Sequence, residues 1–276
     1  MKLAFVTFHI DTAPRGSVGS VHPNTNLESV EYLNMIDLMF RSARVFHPGC
    51  RTIILSNVRT NLTSLHGKYE IWVTNSSPDS LMLDRARAMR DVADRLSTDT
   101  AIVFLDSDIL LNRSLVSLLD VEFDVALTYR EHPKHPINGG VIISRPAHPE
   151  RVRWFFRKVA DIYGERYAEA SAWFGDQDAI LDVLGRDRYA SRASDDFEVG
   201  ECRIRLLPCD TYNYSPEPSQ TPIASPLGDR VLLHFKGPRK SLMPAFWDTH
   251  LSYRETGLRA WLGRTVARAR AYLGQL

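Results

Sequence analysis

The stretch AIVFLDSDILLN, residues 101–112, sets two carboxylates at the end of an apolar run. Carboxylates left unpaired in an apolar setting are costly, so Asp106 and Asp108 need a compensating partner. In an extended chain, side chains at i and i+2 point to the same side. That predicts Asp106 and Asp108 facing one way and Ser107 the other. Two hard oxygen ligands at the end of a strand can converge on one divalent cation. The competing reading is a solvated turn, or a cap for a helix starting near Ser114. The apolar strand directly before the pair favours metal.

Three further clusters carry chemistry. HFKGPRK, 234–240, ends an apolar strand on His234, a candidate nitrogen ligand for the same ion. Gly237 there would let backbone approach a phosphate, and Lys240 would place a point charge on a phosphate oxygen. The plainer alternative is a basic loop beside a core histidine. In INGGVIIS, 137–144, Asn138 ends a loop, and Gly139 and Gly140 lead into a strand. Glycines at such a point mark close approach by a ligand or another backbone, or a simple turn. In FGDQDAIL, 174–181, Asp176, Gln177 and Asp178 open a helix. Capping accounts for one acid but does not require three polar residues in a row.

The elements that must position these clusters alternate along the chain. Strands are expected at 3–8, 51–56, 69–74, 101–105, 124–129, 140–145 and 231–235. Helical periodicity runs over 27–46, 79–96, 150–163 and 176–184. The stretch 208–228, rich in Pro, Ser, Thr and Tyr, reads as an ordered loop. Strands alternating with helices predict an α/β fold with a doubly wound, mostly parallel sheet. Ligands in such sheets bind beyond the carboxyl ends of the strands.

Composition narrows the classes. With 276 residues, 44% of them hydrophobic, the chain can bury one sizeable core, expected as one domain over 1–250 and a helical tail over 251–276. A formal net charge of +1 gives no global field calling for nucleic acid. The three cysteines, Cys50, Cys202 and Cys209, are too few and irregular for a disulfide framework or a zinc site. A reducing, cytoplasmic setting is the plain expectation, since MKLAFVTFHI lacks the long core of a signal peptide.

The four clusters in this order resemble glycosyltransferase family 8, retaining sugar-nucleotide transferases with the GT-A fold. FLDSD looks like the family's strand and D-x-D, NGGVIIS its Asn-Gly segment, DQDAI its D-Q-D stretch, and HFKGPRK its H-x-x-G-x-x-K signature. HPGCRTIILS and LPCDTYNY are smaller echoes. Ser241 and Leu242 depart from the usual Pro-Trp after the motif lysine, and the first loop, HIDTAPRGSVGSVHPNTN, is longer than usual.

The resemblance implies a GT-A domain, a Rossmann-like sheet with flanking helices, that transfers a hexose from a UDP-sugar to a saccharide-type acceptor. It implies Mn²⁺, or Mg²⁺, on Asp106, Asp108 and His234, with Asp106 also near the ribose. Gly237 and Lys240 would contact the diphosphate. Asn138, Gly139, Asp176 and Gln177 would hold the donor sugar, with Asp176 or Gln177 nearest the reacting carbon. Arg85 would reach the diphosphate or sugar, Arg87 being close enough to be confused with it. Asp11 would serve the base or ribose. Retention is implied by the resemblance alone. An inverting route would need a base on the acceptor side, for which Glu131 or Asp210 could serve. Tyr212, Tyr214, Trp173 and Trp247 are stacking candidates for the acceptor, against a plain core role for each. The rival readings are a sugar nucleotidyltransferase, whose Gly-rich loop would want a lysine that PRGSVGS lacks, and a binding protein without chemistry.

The tail, 256–276, carries an apolar stripe of Leu258, Trp261, Leu262, Val266, Ala269, Tyr272 and Leu273 flanked by Arg259, Arg264, Arg268 and Arg270. Such a basic amphipathic helix can lie on an anionic bilayer, here the inner membrane face, or pack on its own domain. Family relatives that build bacterial surface glycans look similar.

Overall fold

A computed structural model of the chain describes residues 1–11, 29–96, 98–168, 174–192, 194–217 and 227–256. In chain order its strands are β1 (Lys2–Phe8), β2 (Arg51–Ser56), β3 (Glu70–Val73), β4 (Thr100–Leu105), β5 (Ile109–Leu111), β6 (Val125–Tyr129), β7 (Ile137–Ser144), β8 (Asp196–Val199), β9 (Cys202–Pro208) and β10 (Leu232–His234). Its helices are α1 (Ser29–Phe46), α2 (Leu81–Arg95), α3 (Val116–Leu119), α4 (Pro149–Arg166), α5 (Gly175–Leu184), α6 (Arg186–Ala190), α7 (Cys209–Tyr212), α8 (Met243–His250) and α9 (Ser252–Thr256).

Eight strands form one sheet in the order β3-β2-β1-β4-β7-β6-β9-β8, and β5 pairs with β10 in a separate ribbon. The pairs β3–β2, β2–β1, β1–β4 and β6–β9 are parallel. The pairs β4–β7, β7–β6 and β9–β8 are antiparallel. The parallel half follows from helical crossovers, and strands buried on both faces read as near-continuous apolar runs. β4 has every residue buried. Its alternating sides feed two cores, with Ala101, Val103 and Leu105 in one and Ile102 and Phe104 in the other. The first core is closed by α1, α8 and the β5–β10 ribbon, and the second by α2, α4 and α5.

Several elements differ from expectation. β7 begins at Ile137, so Asn138, Gly139 and Gly140 lie within the strand rather than leading into it. The register between β6 and β7 shifts between Leu127 and Thr128, and the glycine segment turns instead toward β4. Residues 196–199 and 202–208, not expected as strands, form the β8–β9 hairpin at one edge. Part of the 208–228 loop is ordered as α7, followed by a bridge from Tyr214 to Leu233; its residues 218–226 lie outside the described ones.

Trp247, a stacking candidate, is 3% exposed and belongs to the core, with the Arg41 guanidinium 4.7 Å above its ring. Arg41 also pairs with Glu255, which ties α9 to α1. Residues 257–276, the rest of the expected tail helix, lie outside the described ones, as does Trp173. No described helix is long and apolar enough to cross a membrane.

Candidate functional site

Asp106 and Asp108 stand in the tight turn that joins β4 to β5, not in an extended strand. Their convergence therefore comes from the turn rather than from i, i+2 alternation. The neighbouring backbone is clamped on both sides. Asp106 N–H donates to Gly140 O at 2.9 Å, and Phe235 N–H donates to Asp108 O at 2.8 Å. The second bond, with the pairing of His234 to Ile109, carries β10 onto the acidic turn. His234 Nε2 lies 3.0 Å from Asp108 Oδ1 and 3.6 Å from Asp106 Oδ2. One ligand atom from each of the three residues falls within 4.8 Å of the others.

The donor set fits a divalent cation. Ligands about 2.1 Å from one ion at right angles lie about 3 Å apart, close to the observed spacings. Gly140 forms the wall behind them: a Cβ there would come within 2.6 Å of His234 Cε1 and 2.8 Å of Asp106 Oδ2. Ligand atoms this close, behind a glycine with no room for a Cβ, suit an ion rather than a larger group.

Charge is arranged accordingly. Burial pushes the Asp108 carboxyl up, but His234 and the Lys240 ammonium, which hydrogen-bonds Asp108 Oδ2, hold it well below the usual carboxylate range. Burial lowers the pKa of His234, with Asp108 working the other way. Burial also works against the charge on Lys240, and Asp108 raises its pKa in net terms. The site thus keeps an ionised carboxylate where an ion would need one.

Arg85 bridges this cluster to a second one. Its guanidinium donates to Asp106 Oδ1 at 3.1 Å, to Asp176 Oδ2 at 2.7 Å and to Gly139 O at 2.8 Å. Arg87 turns to Asp84 instead, half-exposed, because residues two apart on a helix face opposite ways. Asp176 opens α5 and is 3% exposed. Burial raises its carboxyl to about 6, Arg85 opposing and the like charge of Asp106 assisting. Gln177 follows, its buried Oε1 without a partner among the described residues. Gly139 lies against this pair, since a Cβ would sit 2.9 Å from Asp176 Oδ2.

The remaining expected residues distribute as follows. Gly237 starts a 3₁₀ turn with φ +57°, a left-handed conformation that favours glycine. Asn138 is buried, and its Oδ1 accepts from Gly140 N–H and Asn213 Nδ2. Asp11 lies past β1, bound to the loop after β2: its N–H donates to Thr60 Oγ1 and its Oδ2 accepts from Asn61 N–H. It neighbours His9, whose ring stacks on Tyr32, a residue that also faces Lys240. Asp178 turns away, to Arg186 and His135. Glu131 and Asp210 are exposed. Tyr214 carries Arg230 over its ring, and Tyr212 packs on the first core. Sequence reasoning passes over Asn213, 1% exposed, whose Oδ1 lies 2.7 Å from His234 Nδ1.

No family model and no curated protein sequence matches the chain. Solved structures do. A glycosyltransferase involved in the glycosylation of the major capsid of PBCV-1 aligns at TM-score 0.51 and 11% identity over 89% of this chain and 99% of that one. The chain has the GT-A glycosyltransferase fold. GlyE of Streptococcus pneumoniae TIGR4 shares this GT-A fold at TM-score 0.55 and 14% identity, over 96% of this chain and 64% of GlyE. The galactosyltransferase LgtC, in complex with donor and acceptor sugar analogues, does so at TM-score 0.50 and 14% identity, over 85% of this chain and 87% of LgtC. At 11–14% identity these likenesses are of the GT-A fold.

Proposed function

We propose that this chain is a metal-dependent glycosyltransferase that moves a hexose from a UDP-sugar to a saccharide-type hydroxyl acceptor, with retention at the anomeric carbon. The observation that carries the reading is the Asp106–Asp108–His234 cluster, beside Lys240 and Arg85, at the carboxyl end of β4 in a GT-A fold. Binding beyond strand carboxyl ends is the general rule for open α/β sheets.

Asp106, Asp108 and His234 would hold the ion, and the imidazole favours Mn²⁺ over Mg²⁺. When bound, the ion supplies Lewis-acid stabilisation of the departing diphosphate. The chain's own groups do the rest. Lys240 sits on Asp108, so a diphosphate brought to that carboxylate meets its ammonium. Gly237 opens the turn that carries Lys240. Arg85 fixes the ligand Asp106 relative to Asp176, so the diphosphate side and the sugar side share one guanidinium. Gln177 Oε1, buried and without a partner among the described residues, is an acceptor for a sugar hydroxyl, since buried polar atoms are seldom left unmet. Ionised Asp176 would offset positive charge growing at the anomeric carbon. Retention fits this placement, because the carboxylate held deep in the site is Asp176, whereas the candidate inverting bases Glu131 and Asp210 face solvent.

The test is release of UDP from a panel of UDP-sugars, with and without Mn²⁺ and saccharide acceptors, read beside the anomeric proton coupling of fresh product. Metal-dependent release with retained configuration is expected. His234→Ala should lower the rate by about 10²–10³ while the protein stays folded. Metal-independent turnover, or none with any nucleotide sugar, would overturn the reading.

A further inference from the structure

His234 can offer Nε2 to an ion only if that nitrogen carries a lone pair, so the ring proton must sit on Nδ1. Nδ1 lies 2.7 Å from Asn213 Oδ1. Amides present either end to a neighbour. With its ends exchanged, Asn213 would donate to Nδ1 and drive the proton to Nε2. Two backbone groups settle which end faces the ring.

Gly140 N–H donates to Asn138 Oδ1 at 3.0 Å, so Asn138 presents an oxygen to Asn213. Thr128 Oγ1 donates its proton to Asn138 O at 2.9 Å, so toward Asn213 it can only accept. Asn213 meets both acceptors, Asn138 Oδ1 at 2.9 Å and Thr128 Oγ1 at 2.8 Å. Only Nδ2 can donate to the two at once, which leaves Oδ1 for His234. All four side chains are buried, and exchanging the ends would replace two hydrogen bonds by contacts of Asn213 Oδ1 with the Asn138 and Thr128 oxygens.

We propose that Asn213 is a positioning residue that keeps the proton of His234 on Nδ1 and its Nε2 lone pair aimed at Asp106 and Asp108. The chain of bonds runs from the β7 backbone through Asn138 and Asn213 to the imidazole, so the strand that walls the site also orders its nitrogen ligand. This inference rests on the reading that Asp106, Asp108 and His234 hold a divalent ion. Outer partners that orient a ligating histidine typically change metal affinity by about 10–100-fold.

The experiment measures Mn²⁺ affinity from the electron paramagnetic resonance of the free ion, for the native chain, His234→Ala and Asn213→Ala. Histidine ¹⁵N NMR of the Mg²⁺-loaded protein gives the proton position, with the His234 signal assigned by its loss in His234→Ala. The native protein should show a proton-bearing Nδ1, a measurement that needs no Asn213 variant. Asn213→Ala should bind Mn²⁺ about 10–100-fold more weakly and, at the Mg²⁺ concentration that just loads the native protein, should lose that signal as the freed Nε2 takes the proton toward Asp108. Asn213→Asp, which keeps an oxygen facing Nδ1, should retain it. Native Mn²⁺ binding weakened by His234→Ala but unchanged by Asn213→Ala would overturn the role of Asn213 alone, as would an unprotonated Nδ1 in the native protein. A native chain that binds no Mn²⁺ would instead remove the ion-binding reading, and the positioning role with it.

Discussion

At the scale of single residues, Gly140 and Gly139 separate the two halves of the site. A methyl group on Gly140 collides with His234 Cε1 and Asp106 Oδ2, whereas one on Gly139 meets Asp176 Oδ2. Gly140→Ala should therefore raise the Mn²⁺ concentration needed for half-maximal turnover by about 10–100-fold, the range seen when the groups that orient metal ligands are disturbed. Gly139→Ala should lower turnover with Mn²⁺ affinity near native. A Mn²⁺ titration of both variants decides, and equal affinities would refute the wall assigned to Gly140. Asp176 gives a pH test. Its carboxyl is raised by burial from 3.8 to about 6. Between those values the folded chain holds a proton that the unfolded chain has lost, so this group's contribution to stability falls as pH rises from about 4 to 6. Asp176→Asn does not ionise. Its melting temperature relative to native should climb across that window and level off above it. A difference that stays flat from pH 4 to 7 would contradict the raised pKa.

The elements explain which parts of the site could be read from sequence. Two acids after an apolar strand, and a histidine ending another, stand out because their types are rare in that setting, and both belong to the cluster. Arg85 was separable from Arg87 in principle, since Leu83, Ala86 and Met89 mark the buried side of α2. The β9 strand carries readable alternation, with Cys202, Ile204 and Leu206 buried and Arg203 and Arg205 between them, a signal that the expected strands left out. β5 spans only Ile109–Leu111, too short for any period, so the polar turn before it reads as the end of one strand rather than the link to a second. Asn213 lies within the LPCDTYNY echo, but nothing in that polar, aromatic loop sets its amide apart from its neighbours. The β5–β10 ribbon that these gaps concealed is what joins ligands far apart in sequence. Phe235, fully buried, seals it against Phe246 with ring centroids 5.2 Å apart. Phe235→Ala should destabilise the chain by about 3–5 kcal/mol, seen in urea as a lower midpoint at unchanged slope. A loss under about 1 kcal/mol would mean that the ribbon does not depend on this contact.

At the scale of the molecule, the site is assembled from both halves of the sheet. The acidic turn leaves β4 of the parallel half, the glycine wall lies on antiparallel β7, Asp176 opens α5 over the second core, and His234 ends the ribbon that closes the first. A ligand seated there contacts elements from every layer, so its binding free energy should add to the stability of the whole fold. Mn²⁺ and UDP should act together, because on the proposed reading the diphosphate brings oxygens to an ion at the three residues that could hold one. At 100 times its Kd a ligand specific for the folded state adds about 2.7 kcal/mol. For a chain of this size that corresponds to a rise in melting temperature of about 5–10 °C. The rise should need both components, with Mn²⁺ alone or UDP alone giving distinctly less, and should shrink in Asp108→Asn, which removes the carboxylate held between His234 and Lys240. A thermal melt with each component and with both measures it. Equal shifts with UDP in the presence and absence of Mn²⁺ would show that nucleotide binding does not run through the acidic turn.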